Sequence, residues 1–476
     1  MKRSFALLLC ICLLLMLCSC GDKPAQSSEE TPAPVSDGVI TLSDGAVSSA
    51  DPRVSISGKV ATLTAGGEYT VSGKLDGGQI VVDAAEDGAR VLLHLSGVTM
   101  TNEEAPCIFV QQCDKLKLIL DEGSENSLCS GVEGVSYEEP SGAVIYSEDD
   151  LDVEGSGKLT VNGFINNGIT CKDDLAIQGG ELTITAANNG LRGSESVEIE
   201  AGKLTIVAGG DGVKSTSAKK EGKGYISVSG GEISVEAGGD GIAAETQLLI
   251  SGGTVSVTTT GEPELGSCKG LKGSTGVQIS GGTFTLDTTD HCIRSGGDAE
   301  ISGGSFSLKS SMGRGVSAWG TLRFSGEPSL VVDAIEDGLY SETELYIEGG
   351  SFNIAAGEDG IHAGQSGSGE GIVTVTGGRI LVSAYQDGIA LRIMGGALLA
   401  CGKYKPPKTA SAESSQSSIF AELGGHAGSA LTITDGSGTV IGSLNAVYPF
   451  THVLFSRAGL GVCELSCEGS SVSAQP

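Results

Sequence analysis

The residues in this sequence most capable of chemistry recur directly before a glycine, or in one unit before Cys292, that precedes an aliphatic residue. Carboxylates stacked on neighbouring turns repel each other unless a cation lies between them, and hard oxygen ligands suit Ca²⁺. We therefore predict calcium at the five aspartates of this series. Turn chemistry is the alternative, because Asn-Gly and Asp-Gly pairs are favoured where φ becomes positive. The series is Asn167, Asn189, Asp211, Asp240, Lys269, His291, Arg314, Asp337, Asp359 and Asp387.

A second series lies two residues after the same glycines and Cys292, and it is rich in cations. A row of basic side chains along a straight rod would follow a linear polyanion, since Arg binds carboxylates through two parallel hydrogen bonds. The alternative is that these cations only neutralise the aspartates of the first series, which contributes little at an exposed surface. The second series is Thr170, Arg192, Lys214, Ala243, Lys272, Arg294, Ser317, Tyr340, His362 and Ala390. From both series, the predicted ligand-binding residues are Arg192, Lys214, Lys269, Lys272, Arg294, Arg314 and Tyr340.

Other parts of the sequence offer weaker functional signals. Glu148–Asp150 and Lys172–Asp174 occupy equivalent places in neighbouring units, either as a solvated acidic face or as another calcium candidate. The sequence contains no Gly-rich phosphate loop, His-Glu-x-x-His helix motif or EF-hand loop, and its five histidines are dispersed.

The turns that contain the first series, which we call the landmark turns, define an internal repeat by their spacing. Successive turns lie 22, 22, 29, 29, 22, 23, 23, 22 and 28 residues apart, which indicates a unit of 22 or 23 residues with three short insertions. Most units also contain a Gly-Gly pair, flanked by short runs in which apolar and polar residues alternate, such as Thr283–Asp287. Such runs predict strands that are buried on one face. Units this short bury their inner faces only by stacking, so we predict an all-β, right-handed parallel β-helix.

The composition agrees with thin stacked coils. Among 476 residues there are 75 glycines, a single Trp and 39% hydrophobic residues, which excludes both wholesale disorder and a large aromatic core. The formal net charge of −30 argues against general binding to nucleic acid or to anionic membranes. We expect no nucleic-acid partner and a monomeric chain.

The N-terminal segment has the features of an export signal. Lys2 and Arg3 precede an apolar run over residues 5–17, which is too short for an ordinary membrane span. Leu17-Cys18-Ser19-Cys20 resembles a bacterial lipobox, which implies lipidation of Cys20 after removal of residues 1–19. An ordinary cysteine-rich signal peptide is the alternative. Residues 20–36 then form a polar tether, and the protein is exported and held at the outer face of a bacterial membrane through its lipid alone.

The rest of the chain divides by its repeat. We assign residues 37–402 to the β-helix, residues 403–418 to a polar loop, and residues 419–470 to a small C-terminal β cap over the last coil. Nine cysteines lie beyond the signal, and none has a zinc-type spacing. We predict small buried thiols, with Cys463 and Cys467 as the pair best suited to a disulfide.

Several stretches of the sequence resemble the clostridial-type carbohydrate-binding parallel β-helix proteins. They are Gly78–Ala84, Gly97–Thr99, Ala105–Pro106, Leu120–Asn126, Lys172–Leu175, Asn189–Gly193 and Gly209–Ser215, and the resemblance extends over residues 37–460. It implies calcium-supported binding of plant-wall polysaccharide, such as cellulose or polygalacturonate, without established cleavage. The sequence departs from the family at Asn167 and Asn189, where Asp is usual, and at Lys269, His291 and Arg314.

Three classes of function remain open at this point. The first is a surface-anchored, non-catalytic protein that binds extracellular polysaccharide, favoured as acidic because aromatic residues are scarce. The second is a polysaccharide lyase, in which Lys272 or Arg294 beside Asp240 would remove a proton from a calcium-bound uronate. The third is a structural adhesin or spacer.

Overall fold

The computed structural model describes residues 38–43, 45–134, 142–364, 371–386, 391–403 and 411–476. The signal, Cys20, the tether and Asp387 lie outside these ranges. Asp37–Pro476 form one compact unit. In the described part every regular element is a β-strand, and no helix there is long and apolar enough to cross a membrane.

Most strands stack in parallel into three faces of a solenoid, which confirms the predicted all-β fold with long parallel sheets. The first face carries the landmark turns. For example, Ile169 lies opposite Leu191, which lies opposite Val213 in the next coil. The strands of this face are Val54–Ser57, Val60–Leu63, Gln79–Asp83, Ile108–Gln112, Ala143–Ser147, Asn167–Cys171, Leu191–Gly193, Val213–Ser215, Ile242–Ala244, Leu271–Gly273, Ile293–Ser295, Val316–Ala318, Leu339–Ser341 and Ile361–Ala363.

The second and third faces complete each coil. The second comprises Lys115–Leu120, Asp150–Gly155, Asp174–Ile177, Ser196–Ile199, Tyr225–Val228, Gln247–Ile250, Gly276–Ile279, Asp298–Ile301, Leu322–Phe324, Glu344–Ile347, Ile372–Val375 and Leu391–Ile393. The third comprises Glu125–Ser130, Lys158–Gly163, Glu181–Ala186, Lys203–Ala208, Glu232–Ala237, Thr254–Thr259, Thr283–Thr288, Ser305–Ser310, Ser329–Ala334, Ser351–Ala356, Arg379–Ala384 and Ala397–Gly402. At the N-terminal end, the strands are Gly38–Ser43, Ala46–Ser49, Gly67–Asp76 and Arg90–Asn102, and the last two run along both faces.

The C-terminal strands leave the parallel pattern. Phe450–Arg457 pairs antiparallel with Ala397–Gly402 and with Ser418–Gly425. A separate antiparallel sheet contains Ala430–Asp435, Val440–Asn445, Cys463–Cys467 and Ser470–Ala474.

Small aliphatic side chains fill the interior because alternate residues of each short strand point inward. Ile169, Leu191 and Val213 are fully buried, one above the other. The few internal rings stack as well: Phe284 and Phe306 have centroids 4.5 Å apart and nearly parallel planes. The core is therefore a set of ladders along the rod, as the alternating runs predict.

The landmark turn requires glycine because neighbouring coils approach each other closely there. A Cβ on Gly212 would lie 2.3 Å from Val235 Cγ1 and 2.6 Å from the carbonyl oxygen of Gly241. Neither Gly212 nor Gly241 has a positive φ, so the interpretation of these glycines as left-handed turn residues is wrong. The second glycine of the Gly-Gly pair has that role, as at Gly231 with a φ of 84°.

All nine cysteines in the described residues are free, and eight of them are buried, which confirms the buried-thiol interpretation. The disulfide suggested for Cys463 and Cys467 is wrong. Both lie on one extended strand, so their Cα atoms are roughly 13 Å apart, beyond the ~7 Å that a disulfide spans. Burial raises the pKa of the Cys107 and Cys292 thiols to about 12, which makes them poor nucleophiles.

Candidate functional site

The second sequence series forms a continuous outward row on the first face, which we call the outer row. Its members pair in register from coil to coil, and Lys272, for example, lies opposite Arg294. Side chains alternate along a strand, so the row lies on the side away from the core while the aliphatic residue before each member faces the core. Within the row, Thr170, Ala243, Ser317 and Tyr340 are nevertheless buried by their neighbours. In the described residues the row runs through Tyr146, Thr170, Arg192, Lys214, Ala243, Lys272, Arg294, Ser317, Tyr340 and His362.

The first sequence series lies beside the outer row and joins successive coils. The Oδ1 atom of Asp211 accepts the backbone N–H of Asp240 at 2.7 Å, and Oδ1 of Asp240 accepts that of Lys269 at 2.8 Å. The asparagines use the same geometry, since the Asn189 N–H donates to Asn167 Oδ1 at 3.0 Å. One side-chain oxygen of these residues is therefore a structural acceptor. We call this series the acceptor ladder.

The second carboxylate oxygen of the ladder is occupied by a cation from the protein itself. Lys214 Nζ lies 2.6 Å from Asp211 Oδ2, and Lys272 Nζ lies 3.1 Å from Asp240 Oδ2. Arg314 Nε, from the ladder itself, lies 2.8 Å from Asp337 Oδ2. All three carboxylates are buried, where an unpaired charge would be costly. Three of the predicted ligand-binding cations therefore stabilise the ladder.

Calcium does not fit these positions. Ca²⁺ takes six to eight oxygen ligands at 2.3–2.6 Å. Each oxygen of Asp211, Asp240 and Asp337 already accepts a hydrogen bond from a backbone amide or a basic side chain. The repulsion between stacked carboxylates, from which calcium was predicted, is relieved by ammonium and guanidinium groups instead. Asp359 pairs with an imidazole, whose nitrogen is a poor ligand for calcium.

The basic stretch in the middle of the ladder is also paired. Lys269 Nζ lies 2.6 Å from Asp290 Oδ2. His291 Nδ1 accepts the backbone N–H of Arg314 at 3.0 Å, so the ring continues the ladder as an acceptor. Burial lowers the pKa of His291 to about 4, against the opposing effect of Asp290. The ring is neutral at pH 7, which explains how an imidazole tolerates neighbouring cations.

The second calcium candidate, at the corner between the first and second faces, contains lysines as well. Lys223 Nζ lies 2.6 Å from Asp174 Oδ2 and 3.2 Å from Glu195 Oε2. Lys115 Nζ lies 3.7 Å from Asp150 Oδ2. Burial raises the pKa of Asp174, but the hydrogen bonds from Lys223 and Ser196 outweigh it and the pKa is lowered overall. The insertion after Ser215 thus supplies a cation to this corner.

Two guanidinium groups of the outer row differ from the other cations. Within the described ranges, Arg192 and Arg294 form no salt bridge. Arg294 Nη1 donates to Ser317 Oγ at 3.1 Å, and its Cζ lies 4.7 Å from the centre of the Trp319 ring. Burial lowers the pKa of Arg294, and the nearby Arg314 adds to the effect. Arg294 is thus a partly buried cation with no carboxylate of the described residues within salt-bridge distance.

Trp319, which the analysis of the sequence missed, is the aromatic member of this site. It directly follows the strand Val316–Ala318, and 56% of its surface is exposed. A large exposed indole is unusual on a protein surface. Its position could have been recognised from the sequence, because the only Trp of the chain lies two residues after Ser317 of the second series.

Tyr340 is buried and packs against Arg314, so it does not belong to the accessible surface. It is only 8% exposed, and its ring lies 4.0 Å from the Arg314 guanidinium. Burial raises the pKa of its hydroxyl, so it stays neutral. The structure therefore brings together Arg294 and Trp319 as accessible groups, with Arg314 and Tyr340 packed on the coils beside them.

The comparison with known proteins identifies a family. The model of the carbohydrate-binding domain-containing protein family matches residues 57–315 and 309–453. A carbohydrate-binding domain-containing protein of Acetivibrio thermocellus is 36% identical over 177 residues, which cover 36% of this chain and 61% of that relative. The chain thus spans less than two thirds of that relative. A solved structure described as the polysaccharide lyase-like protein from C. thermocellum, a gadolinium derivative, has 34% identity and a TM-score of 0.46, covering 51% of this chain and 96% of its own. Because the family model matches most of its length, the chain belongs to the carbohydrate-binding domain-containing proteins.

Proposed function

We propose that the chain binds an acidic extracellular polysaccharide, without cleaving it, on the outer row around Arg294 and Trp319. The observation that carries this proposal is the Arg294 guanidinium, which is partly buried beside an exposed indole and lacks a carboxylate partner in the described residues. A carboxylate of the ligand would supply the missing anion in a bidentate pair. The membership of a carbohydrate-binding family supports a sugar as the carrier of that carboxylate.

The shape of the outer row suits a linear polymer. Arg192 and Arg294 are members of one row and are separated by four strand spacings, which is roughly 19 Å. A chain of sugars lying along the rod would reach both guanidinium groups, and the apolar face of one sugar ring would pack on the exposed face of Trp319. The net charge of −30 does not prevent this, because screening limits its reach to about 8–10 Å at physiological salt.

The pairing of the lysines favours binding over elimination chemistry. A lyase needs a basic group free to remove the proton next to the uronate carboxyl. Lys272 donates to the buried Asp240 carboxylate, and Lys214 donates to Asp211. An ammonium held in an ion pair is a poor base, so neither lysine is free to remove the proton. Arg294, the other base considered, carries a guanidinium that stays protonated and binds a carboxylate through its N–H groups. Calcium is not needed in this proposal, because the ladder contains its own cations.

The remaining sequence-based expectations belong to the same proposal. Lipidation of Cys20 and the tether up to residue 36 would hold the binding domain at the outer surface of the membrane. Right-handed coils of about 22 residues would form the rod. The antiparallel pairing of Phe450–Arg457 with Ala397–Gly402 supports a C-terminal cap over the last coil.

A retention assay tests the function. The protein without residues 1–19 is incubated with immobilised polygalacturonate, with and without a chelator, and the soluble fraction is followed for the ultraviolet absorbance of unsaturated products. We expect retention that the chelator does not change, with no product. An unsaturated product would show that the protein is a lyase. Loss of retention with the chelator would show that binding requires calcium, and absence of retention in both conditions would favour a structural spacer.

A further inference from the structure

The outer row has two guanidinium groups without a salt bridge in the described residues, Arg192 and Arg294, and a neutral segment between them. The three coils that separate them carry Lys214, Ala243 and Lys272 in register. Each lysine forms an ion pair with a carboxylate of the acceptor ladder, and the alanine has no polar side-chain atom. The positive charge available to a ligand is therefore concentrated at the two ends of this segment.

A ligand carboxylate gains little above the paired lysines. A carboxylate that approached the Lys214 ammonium would also approach the Asp211 carboxylate, because the two groups are 2.6 Å apart. The same holds for Lys272 and Asp240, which are 3.1 Å apart. Attraction to the ammonium and repulsion by the carboxylate then nearly cancel. The middle of the segment consequently has no preference for a charged sugar over an uncharged one.

Two insertions in the repeat border the same segment. The first, residues 216–224, follows the strand Val213–Ser215, and the second, residues 260–267, precedes the strand Leu271–Gly273. The strands of this face are parallel, so the insertions lie on opposite sides of the outer row. The segment is thus bordered along the rod and continues with the row at both ends, which suits a linear chain that lies lengthwise.

The spacing of the two arginines matches that of sugars along a polymer. An extended chain of pyranose sugars advances by about one strand spacing per sugar, so the first and the fifth of five sugars meet Arg192 and Arg294, roughly 19 Å apart. Alternate sugars of such a chain are turned by about half a turn. The first, third and fifth sugars therefore present their carboxyl groups to the protein, and the third meets Ala243, which has no charge.

We propose that the segment from Arg192 to Arg294 recognises the spacing of carboxylates rather than every carboxylate. Two uronates four sugar positions apart bind the arginines, and uncharged sugars such as methyl-esterified uronates are accepted between them. This inference rests on the proposed function and defines its ligand more closely, as a partly esterified acidic polysaccharide. Once one carboxylate is bound, the second binds in an intramolecular step, and only a chain long enough to reach both arginines has this advantage.

Calorimetric titration of the protein without residues 1–19 with galacturonate oligomers tests the length requirement. The trimer reaches one guanidinium and the pentamer reaches both, so we expect the pentamer to bind at least about tenfold more tightly. Arg192→Gln should remove this advantage and leave the affinity for the trimer, held at Arg294 and Trp319, unchanged. Arg323→Gln on the second face is the matched control and should change neither affinity.

Esterified pentamers test the spacing itself. A pentamer whose three inner sugars are methyl-esterified should bind within about threefold of the unesterified pentamer, whereas esters on the two terminal sugars should weaken binding by at least about tenfold. Ala243→Lys places a cation at the centre of the segment, so this variant should bind the unesterified pentamer more tightly than the one with inner esters. Circular dichroism shows whether each variant is folded.

Two results would overturn the spacing inference. One is a trimer that binds as tightly as the pentamer, and the other is a loss of affinity from inner esters as large as that from terminal esters. Retention of long polygalacturonate is measured beside them. If the polymer is retained, either result removes the spacing and leaves the proposed function intact. If the unaltered protein retains neither polymer nor oligomers, the proposed function fails and the inference fails with it.

Discussion

Replacing Asp240 by alanine is expected to lower the free energy of unfolding by about 3–5 kcal/mol. This residue is only 2% exposed and holds three groups at once. Its Oδ1 accepts the Lys269 N–H at 2.8 Å and the Ser267 hydroxyl at 2.6 Å, and its Oδ2 accepts from Lys272 at 3.1 Å. Alanine would leave a backbone N–H, a hydroxyl and an ammonium without their acceptor in a place that water reaches poorly.

Two control variants isolate the cause of the expected loss. Asp240→Asn keeps the size and one acceptor oxygen but removes the charge, so it should lose less stability than alanine does. Asp287→Ala breaks the ion pair with Lys309, in which both side chains are more than half exposed, and should cost no more than about 1 kcal/mol. Urea unfolding followed by circular dichroism measures all three. Equal losses for Asp240→Ala and Asp287→Ala would contradict a structural role for the ladder.

Trp319→Ala and Arg294→Gln are each expected to weaken polygalacturonate binding by about thirtyfold, which corresponds to the ~2 kcal/mol that an anchor residue contributes. Trp319 would lose the surface on which a sugar ring packs, and Arg294 would lose its bidentate contact with a uronate carboxylate. Because Trp319 is mostly exposed, its removal should leave the melting temperature nearly unchanged. Calorimetric titration with polygalacturonate measures both affinities.

The chain offers a matched control for this pair on another face. The Arg323 guanidinium lies 4.3 Å from the Tyr346 ring centre, a cation–π contact like that of Arg294 and Trp319. Arg323 differs because it is paired with Glu348 and already has an anion. Arg323→Gln should therefore leave binding unchanged. If it weakens binding as much as Arg294→Gln does, a general loss of positive charge explains the result and the outer row has no special role.

The arrangement of the coils could be predicted from the sequence because it depends on spacing. Landmark turns at constant intervals place equivalent residues in register, so the alignment of Lys272 with Arg294 followed directly from counting. The inward ladder through Ile169, Leu191 and Val213 followed from the two-residue alternation of strands in the same way.

The partners of individual side-chain atoms could not be predicted in this way. Both oxygens of Asp240 are used because a backbone N–H of the next coil and the Lys272 side chain reach them. These contacts depend on side-chain rotamers rather than on spacing, so the same pattern was equally consistent with calcium. The reason for glycine at position 212 could not be predicted either. Glycine is required there because Val235 and Gly241 approach closely, and not because of its own φ.

Trp319 was overlooked for a different reason. A low aromatic content describes the whole chain, whereas a binding surface depends on where each ring lies. The pair of Arg294 and Trp319 becomes visible only when the strands are stacked, because the two residues lie 25 positions apart in the sequence and on neighbouring coils.

The fluorescence of Trp319 tests the central claim most directly, because this residue is the only Trp in the chain. Its emission is titrated with polygalacturonate and with the fully methyl-esterified polymer, which has the same backbone without the negative charges. We predict a saturable change with the acidic polymer that weakens at high salt, and little change with the ester or in Arg294→Gln. Equal responses to both polymers, or retention of polygalacturonate without any change in emission, would contradict binding of an acidic polysaccharide at Arg294 and Trp319.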